Sequence, residues 1–177
     1  MPDPTSQSLV QTLKSALGIA FKQQSPERLH YSRQRLVNAV LAALAMAFAS
    51  HIQFFEMPLN VALLKLVFEL GVLVVGLRLA WSTRSARHGL LKMTLALFLI
   101  SAVGDAALTA LSVIPLESRL GPPRQLLAIS IMLAQIVGAV NCVRFGVSVS
   151  WRMAGAYVLG YVVVRVLLFD LAGVFLP

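Results

Sequence analysis

Residues 90–114, LLKMTLALFLISAVGDAALTALSVI, decide the fold. The stretch carries only two charges, Lys92 near its start and Asp105 deep inside it. A helix rising 1.5 Å per residue crosses a hydrocarbon layer of about 30 Å in about 20 residues, so this segment is long enough to span and too apolar for a soluble amphipathic helix. Working outward, four further stretches have the same character: about 36–55, 60–80, 126–146 and 153–176. The expected fold is therefore all-α: a polytopic transmembrane helical bundle of about five spans at 35–177, preceded by a lead-in at 1–34.

Composition agrees. Apolar residues make up 58% of the 177, charged residues 12%, and the mean hydropathy is +0.82, an excess of apolar surface that no water-soluble core absorbs. The formal net charge is +8, but the basic residues lie between apolar runs without interleaved aromatics, which excludes nucleic acid as the natural counterpart and favours anionic lipid headgroups. Cys142 is the one cysteine and sits in an apolar run, so a disulfide is excluded and a buried filler role is expected. No short apolar stretch followed by a small-residue cleavage site opens the chain, so the first span is expected to act as its own insertion signal.

Short basic connections resist translocation, and their placement sets orientation. On one side lie Lys14, Lys22, Arg28, Arg33 and Arg35 of the lead-in, Arg78, Arg84, Arg87 and Lys92 around the second connection, and Arg144 and Arg152 around the last. Only Arg119 and Arg124 fall on the other, eleven against two. The N-terminus is thus expected in the cytoplasm and the C-terminus outside, in a plasma membrane of the bacterial inner-membrane kind. Within the lead-in, Leu9, Leu13, Ala16, Leu17, Ala20 and Phe21 gather near one helical face, which predicts an amphipathic helix in the inner headgroup layer. Ser25-Pro26-Glu27 offers a helix start, Glu56-Met57-Pro58 a tight outer connection, and residues 115–123 the one sizeable outer loop.

Charges within a span cost about 2.5–3.5 kcal/mol each and usually face a protein interior or a wet cavity. Lys65, Glu69, Asp105, Arg165 and Asp170 are of this kind. Counted from the outer helix ends, Glu69, Asp105 and Arg165 lie roughly 14–16 Å deep, and Gln135 reaches the same level. Lys65, Asp170 and His51 form a shallower layer at roughly 6–9 Å. Lys65 and Glu69, four apart, share a helix face, while Arg165 is placed to meet Asp105 across helices. These residues are expected to form an intramembrane polar network that fixes helix register, binds a neighbouring subunit, or carries a proton or ion. Gly71, Gly76, Gly155 and Gly160 are small positions that allow helices to approach. His51, Gln53 and Glu56 gather where the first span ends, as a solvated helix terminus does.

Catalytic and metal templates are not met. His30, His51 and His88 stand apart from any second ligand at metal spacing, and neither phosphate-cradling glycine loops nor a nucleophile elbow occurs, so no cofactor, metal or catalytic residue is expected. Val103-Gly104-Asp105 with Phe169-Asp170 departs from the paired aspartates of intramembrane aspartyl proteases: position 102 is Ala, and the two motifs come in reverse order. Gly104 reads instead as a small residue at a helix contact.

The basic entry SPERLHYSRQRL and the closing pair of spans joined by VRFGVSVSWRMAGAYVLGY give a layout that resembles the Yip1-type membrane proteins. That resemblance implies a cytosolic lead-in, five spans with short loops and an inner-membrane role without a defined reaction. The aromatic-rich signature of the eukaryotic members does not occur in this sequence. The expected function is that of a non-enzymatic accessory or scaffold subunit partnered by other membrane subunits or by itself. A small transporter or channel using Glu69, Asp105 and Arg165 is the alternative, and a lipid-active membrane enzyme the third reading.

Overall fold

The computed structural model describes the backbone of residues 11, 14, 15, 17, 18, 21, 32–82, 87–113 and 121–175. Side chains at 69, 72–82, 87–89, 121–123, 147, 165 and 168–175 lie outside the described residues. Among the described residues five long helices form and no strand: α1 Arg33–Gln53, α2 Leu59–Ser82, α3 Arg87–Val113, α4 Gly121–Val147 and α5 Trp151–Phe175. The stretches at 12–13, 16, 19–20, 22–31, 83–86 and 114–120 are outside the description, and with them the expected helix start at Ser25-Pro26-Glu27.

Each end has a local cause. Ser32 caps α1, its side chain accepting from the Arg35 amide at 3.1 Å. At the other end the Phe54 and Phe55 amides both donate to the Ser50 carbonyl, the Met57 amide donates to that of His51, and Glu56 takes a left-handed φ of 52° before Pro58. The helix α4 begins at Gly121, earlier than the outer loop was expected to end, because Pro122 and Pro123 fall in the first turn, where an amide donor has no partner to lose. Arg144 to Val149 close α4 as a Schellman turn: the Val149 amide reaches the Arg144 carbonyl at 3.2 Å around Ser148 at φ 55°. Ser150 then caps α5, its hydroxyl accepting from the Met153 amide at 3.3 Å. The break between the last two helices is therefore built from two adjacent capping devices.

Among the described residues, three helical stretches are long and apolar enough to cross a membrane: Arg33–Gln53, Leu90–Val113 and Arg124–Gly146. They form the centre of the bundle. Ala39 and Leu36 of α1 pack with Leu95, Ala96 and Ile100 of α3, and Phe54 packs with Leu108 and Leu111, so α1 and α3 run parallel. Cys142 joins the first of these clusters and Ala128 the second, which sets α4 antiparallel to α3. Val140 of α4 meets Ala154 and Val158 of α5 in a third cluster, and α5 packs on the flank of α4. The helix α2 leans mainly on α1.

The partition of residue types is that of a lipid-solvated bundle. Buried on α1 are Ala39, Ala43, Ala47, Ser50 and His51, a row at spacings of four, four, three and one that lets α3 approach closely. Facing outward are Leu63 and Val67 of α2, Leu126 and Leu133 of α4, and Tyr157, Leu159 and Val163 of α5. Hydroxyls in the bundle return to their own helix, as Thr94 does to Leu90 at 2.7 Å, Thr109 to Asp105 at 2.9 Å and Ser130 to Leu126 at 2.7 Å. Without water nearby, that internal bond removes the cost of an unsatisfied donor.

The glycines meet expectation at Gly104 and depart from it elsewhere. Among the described residues, a Cβ on Gly71, Gly155 or Gly160 would meet nothing within 4 Å, so none of these three lies at a helix contact there. The close approaches are at Gly104, against Gln135, and Gly146, against Met93. Of the two tight crossings, both where α4 passes α3, Gly104 was legible as a small contact residue and Gly146 was not.

Candidate functional site

Among the described residues, the middle of α3 carries a centre where charge, hydrogen bonding and a cavity meet. Ser101 and Asp105 are one turn apart, and the Ser101 hydroxyl donates to Asp105 Oδ2 at 3.2 Å. From α4, Gln135 Nε2 donates to the Ser101 carbonyl at 3.3 Å, and its amide also hydrogen-bonds the Asp105 carboxylate. Gly104 makes this crossing possible: any Cβ there would collide with the Gln135 side chain. The amide thus reaches over a gap in the surface of α3 and ties two helices at the level of the carboxylate.

Lys65 and, when protonated, His51 act electrostatically on Asp105. His51 is buried at 3% exposure, whereas Gln53 and Glu56 are exposed, which corrects the expectation that the three form a solvated helix end. Its ring packs edge-on to Phe55 at 6.0 Å, and Phe55 stands edge-on to Phe54 at 5.1 Å. Lys65 Nζ lies 5.6 Å from the centre of the Phe55 ring, and the Arg124 guanidinium 5.5 Å from that of Phe54. Two phenylalanines after the end of α1 are thereby each met by a cation, one from α2 and one from α4.

Beside the centre lies a partly open cavity of about 180 Å³. Ile100, Val103, Gly104 and Ala107 of α3 form one wall. Ile131, Ala134 and Gln135 of α4 form the other, and Leu17 and Phe21 from the lead-in close it in part. These two side chains meet the middles of α3 and α4, not their ends.

Of the residues singled out from sequence, the structure brings Gln135 of α4 to the level of Asp105, while His51 and Lys65 act on that carboxylate only through their charge. The side chains of Glu69, Arg165 and Asp170 lie outside the described residues, and with them the Lys65–Glu69 and Asp105–Arg165 pairs. Sequence reading overlooked Ser101, although a hydroxyl four residues before an in-span carboxylate is a visible signal. It also overlooked Phe54, Phe55 and the cavity, which have no local signature. Among the described residues no three His, Cys, Asp or Glu side chains gather as metal ligands, and Cys142 is fully buried among α1, α3 and α4.

Chemically, the centre offers a carboxylate that can hold or release a proton, two hydrogen-bond donors to steady it, and a polar link between helices. Set against known protein families, curated proteins and solved structures, the chain matches none of them.

Proposed function

We propose that this chain is a non-enzymatic, five-span membrane protein, N-terminus in the cytoplasm and C-terminus outside, that serves as an accessory or scaffold subunit of a larger membrane assembly. The observation that carries the reading is the exposure of Gly71 and Gly160, each with open space among the described residues where a neighbour would sit. Small residues on apolar faces are what another spanning helix packs against, and α2 and α5 each lean mainly on a single helix of this chain. The eleven-to-two placement of Lys and Arg supports the orientation and contact with anionic headgroups, and the Yip1-type layout is compatible with an inner-membrane setting.

The test is Gly160→Leu, whose side chain enters open space and leaves the bundle intact. After gentle detergent extraction, native mass measurement should show the unaltered chain bound to a partner or to itself and Gly160→Leu released from it. A unit mass that is monomeric for both chains would sink the scaffold reading.

A second reading, transport of a proton or small ion, is favoured by Asp105 standing beside a cavity in the middle of α3. Proteoliposome flux separates the two. Asp105→Asn abolishes flux if the carboxylate carries the ion, and leaves the reconstituted protein silent before and after substitution if the role is architectural.

A further inference from the structure

The polar centre between α3 and α4 gathers four kinds of oxygen. Asp105 supplies a carboxylate, Ser101 both a hydroxyl and a backbone carbonyl, and Gln135 a carboxamide. The Ser101 carbonyl keeps a second lone pair beyond the one its own helix uses, and Gln135 Nε2 donates to it. Ser101 Oγ stands 3.2 Å from Asp105 Oδ2, and Gln135 Nε2 stands 3.3 Å from the Ser101 oxygen, both long for hydrogen bonds between such groups. These separations fit an ion shell: oxygens held about 2.4 Å from a central cation stand about 3.4 Å from one another. A half-turn of the Gln135 carboxamide puts its oxygen where its nitrogen stands, and the Ser101 hydroxyl can turn its proton to the carbonyl one turn back. With those two rotations all four groups offer lone pairs to the space between them. Gly104 admits Gln135 to this position, and the neighbouring cavity of about 180 Å³ gives an approach and room for a water to complete the shell.

We propose that Ser101, Asp105 and Gln135 form a binding site for one Na⁺ ion, which ties α3 to α4 in the middle of the bundle. Charge and size select the ion. One carboxylate carries one charge, and Lys65 and, when protonated, His51 act on it through their own charge, which opposes a divalent ion twice as strongly as a monovalent one. Mg²⁺ demands a tighter shell, with oxygens about 2.9 Å apart. Zinc or copper would need His, Cys or further carboxylate ligands, no three of which gather among the described residues. Na⁺ neutralises a carboxylate that is costly at that depth, and few waters are at hand to compete for it. The inference goes beyond the scaffold reading and rests only on α3 and α4 spanning a membrane.

Binding of radiolabelled Na⁺ to the full chain tests it, with the protein purified in mild detergent, immobilised on scintillant beads at fixed pH, and ionic strength held constant with choline chloride. The unaltered chain should bind the label saturably, and excess NaCl should displace it while equal KCl or choline chloride leaves most of it bound. Asp105→Asn should abolish binding. Loss of an outer-shell partner already weakens metal sites about 10–100-fold, so Ser101→Ala and Gln135→Leu should each weaken this one by about ten-fold or more. Ser101→Thr keeps the hydroxyl and should keep the ion. Thermal unfolding of the unaltered chain needs no variant: NaCl should raise the midpoint above that in choline chloride, because a ligand of the folded state stabilises it. Absence of saturable binding to the unaltered chain would overturn the site. So would undiminished binding in Asp105→Asn, displacement by K⁺ or choline as complete as by Na⁺, or a midpoint indifferent to Na⁺. Flotation of reconstituted vesicles keeps the two ideas apart: a chain that does not float refutes membrane insertion itself, while a floating chain that binds no Na⁺ refutes the site alone.

Discussion

Ser101 does two things with two atoms: its hydroxyl steadies the Asp105 carboxylate and its carbonyl receives Gln135 from α4. Replacing Ser101 by Ala removes only the first, and the bundle should lose about 1 kcal/mol, since hydrogen bonds within membrane bundles contribute about 0.6–2 kcal/mol. Reversible unfolding in mixed detergent micelles measures this. Gly104→Ala is a sharper test, because the new methyl takes the space of the Gln135 side chain. It should destabilise by about 1–3 kcal/mol as an overpacked contact does. Gln135→Ala in the same chain should return most of that loss, a coupling that a double-mutant cycle reads directly. Additive effects of the two substitutions would show that the side chains do not meet.

At the scale of elements, the turn between α4 and α5 places a serine where glycine is the usual residue. Ser148 holds a φ of 55°, a conformation that costs an L-residue about 1–2 kcal/mol, so Ser148→Gly should raise stability by about 0.5–1 kcal/mol in the same unfolding measurement. The pairing of α1 with α3 depends on the alanine row. Ala43 is 4% exposed, and Ala43→Leu should destabilise by about 1–3 kcal/mol, because the two parallel helices have no room for three more carbons. Helix ends were legible because their devices are local: a glycine or proline, a capping serine, a basic anchor. The row Ala39, Ala43, Ala47 was equally present in the sequence. It went unread because alanine is also the commonest helix former, and nothing local separates a packing alanine from a filler.

For the whole molecule, orientation is the property on which every functional reading depends. In a Cys142→Ser background, Glu56→Cys and Ser148→Cys each place a thiol at an exposed turn, on opposite sides of the proposed topology. A membrane-impermeant maleimide applied to intact cells should label Glu56→Cys and spare Ser148→Cys until the membrane is opened. The reverse pattern would turn the molecule over and move the basic face to the outside. The four carbons and ring that Lys65 and Phe55 bring together, and the matching pair of Arg124 and Phe54, belong to the outer side in this arrangement.

The sequence by itself determined the helical class, the positions of the five helices to within a few residues, and the membrane character of the central three. Each of these follows from a local requirement, because a lipid-solvated helix must be long, apolar and internally hydrogen-bonded whatever its neighbours are. Which face meets which is not a local matter. That α1 runs beside α3, that Gln135 crosses over Gly104 to Ser101, that His51 turns inward and that Leu17 and Phe21 reach the α3–α4 groove were decided only by the tertiary structure. The physical reason is that lipid tails are as apolar as leucine, so hydropathy ceases to distinguish inside from outside once a helix is in the membrane. Close packing of small residues and a few interhelical hydrogen bonds then choose the partners.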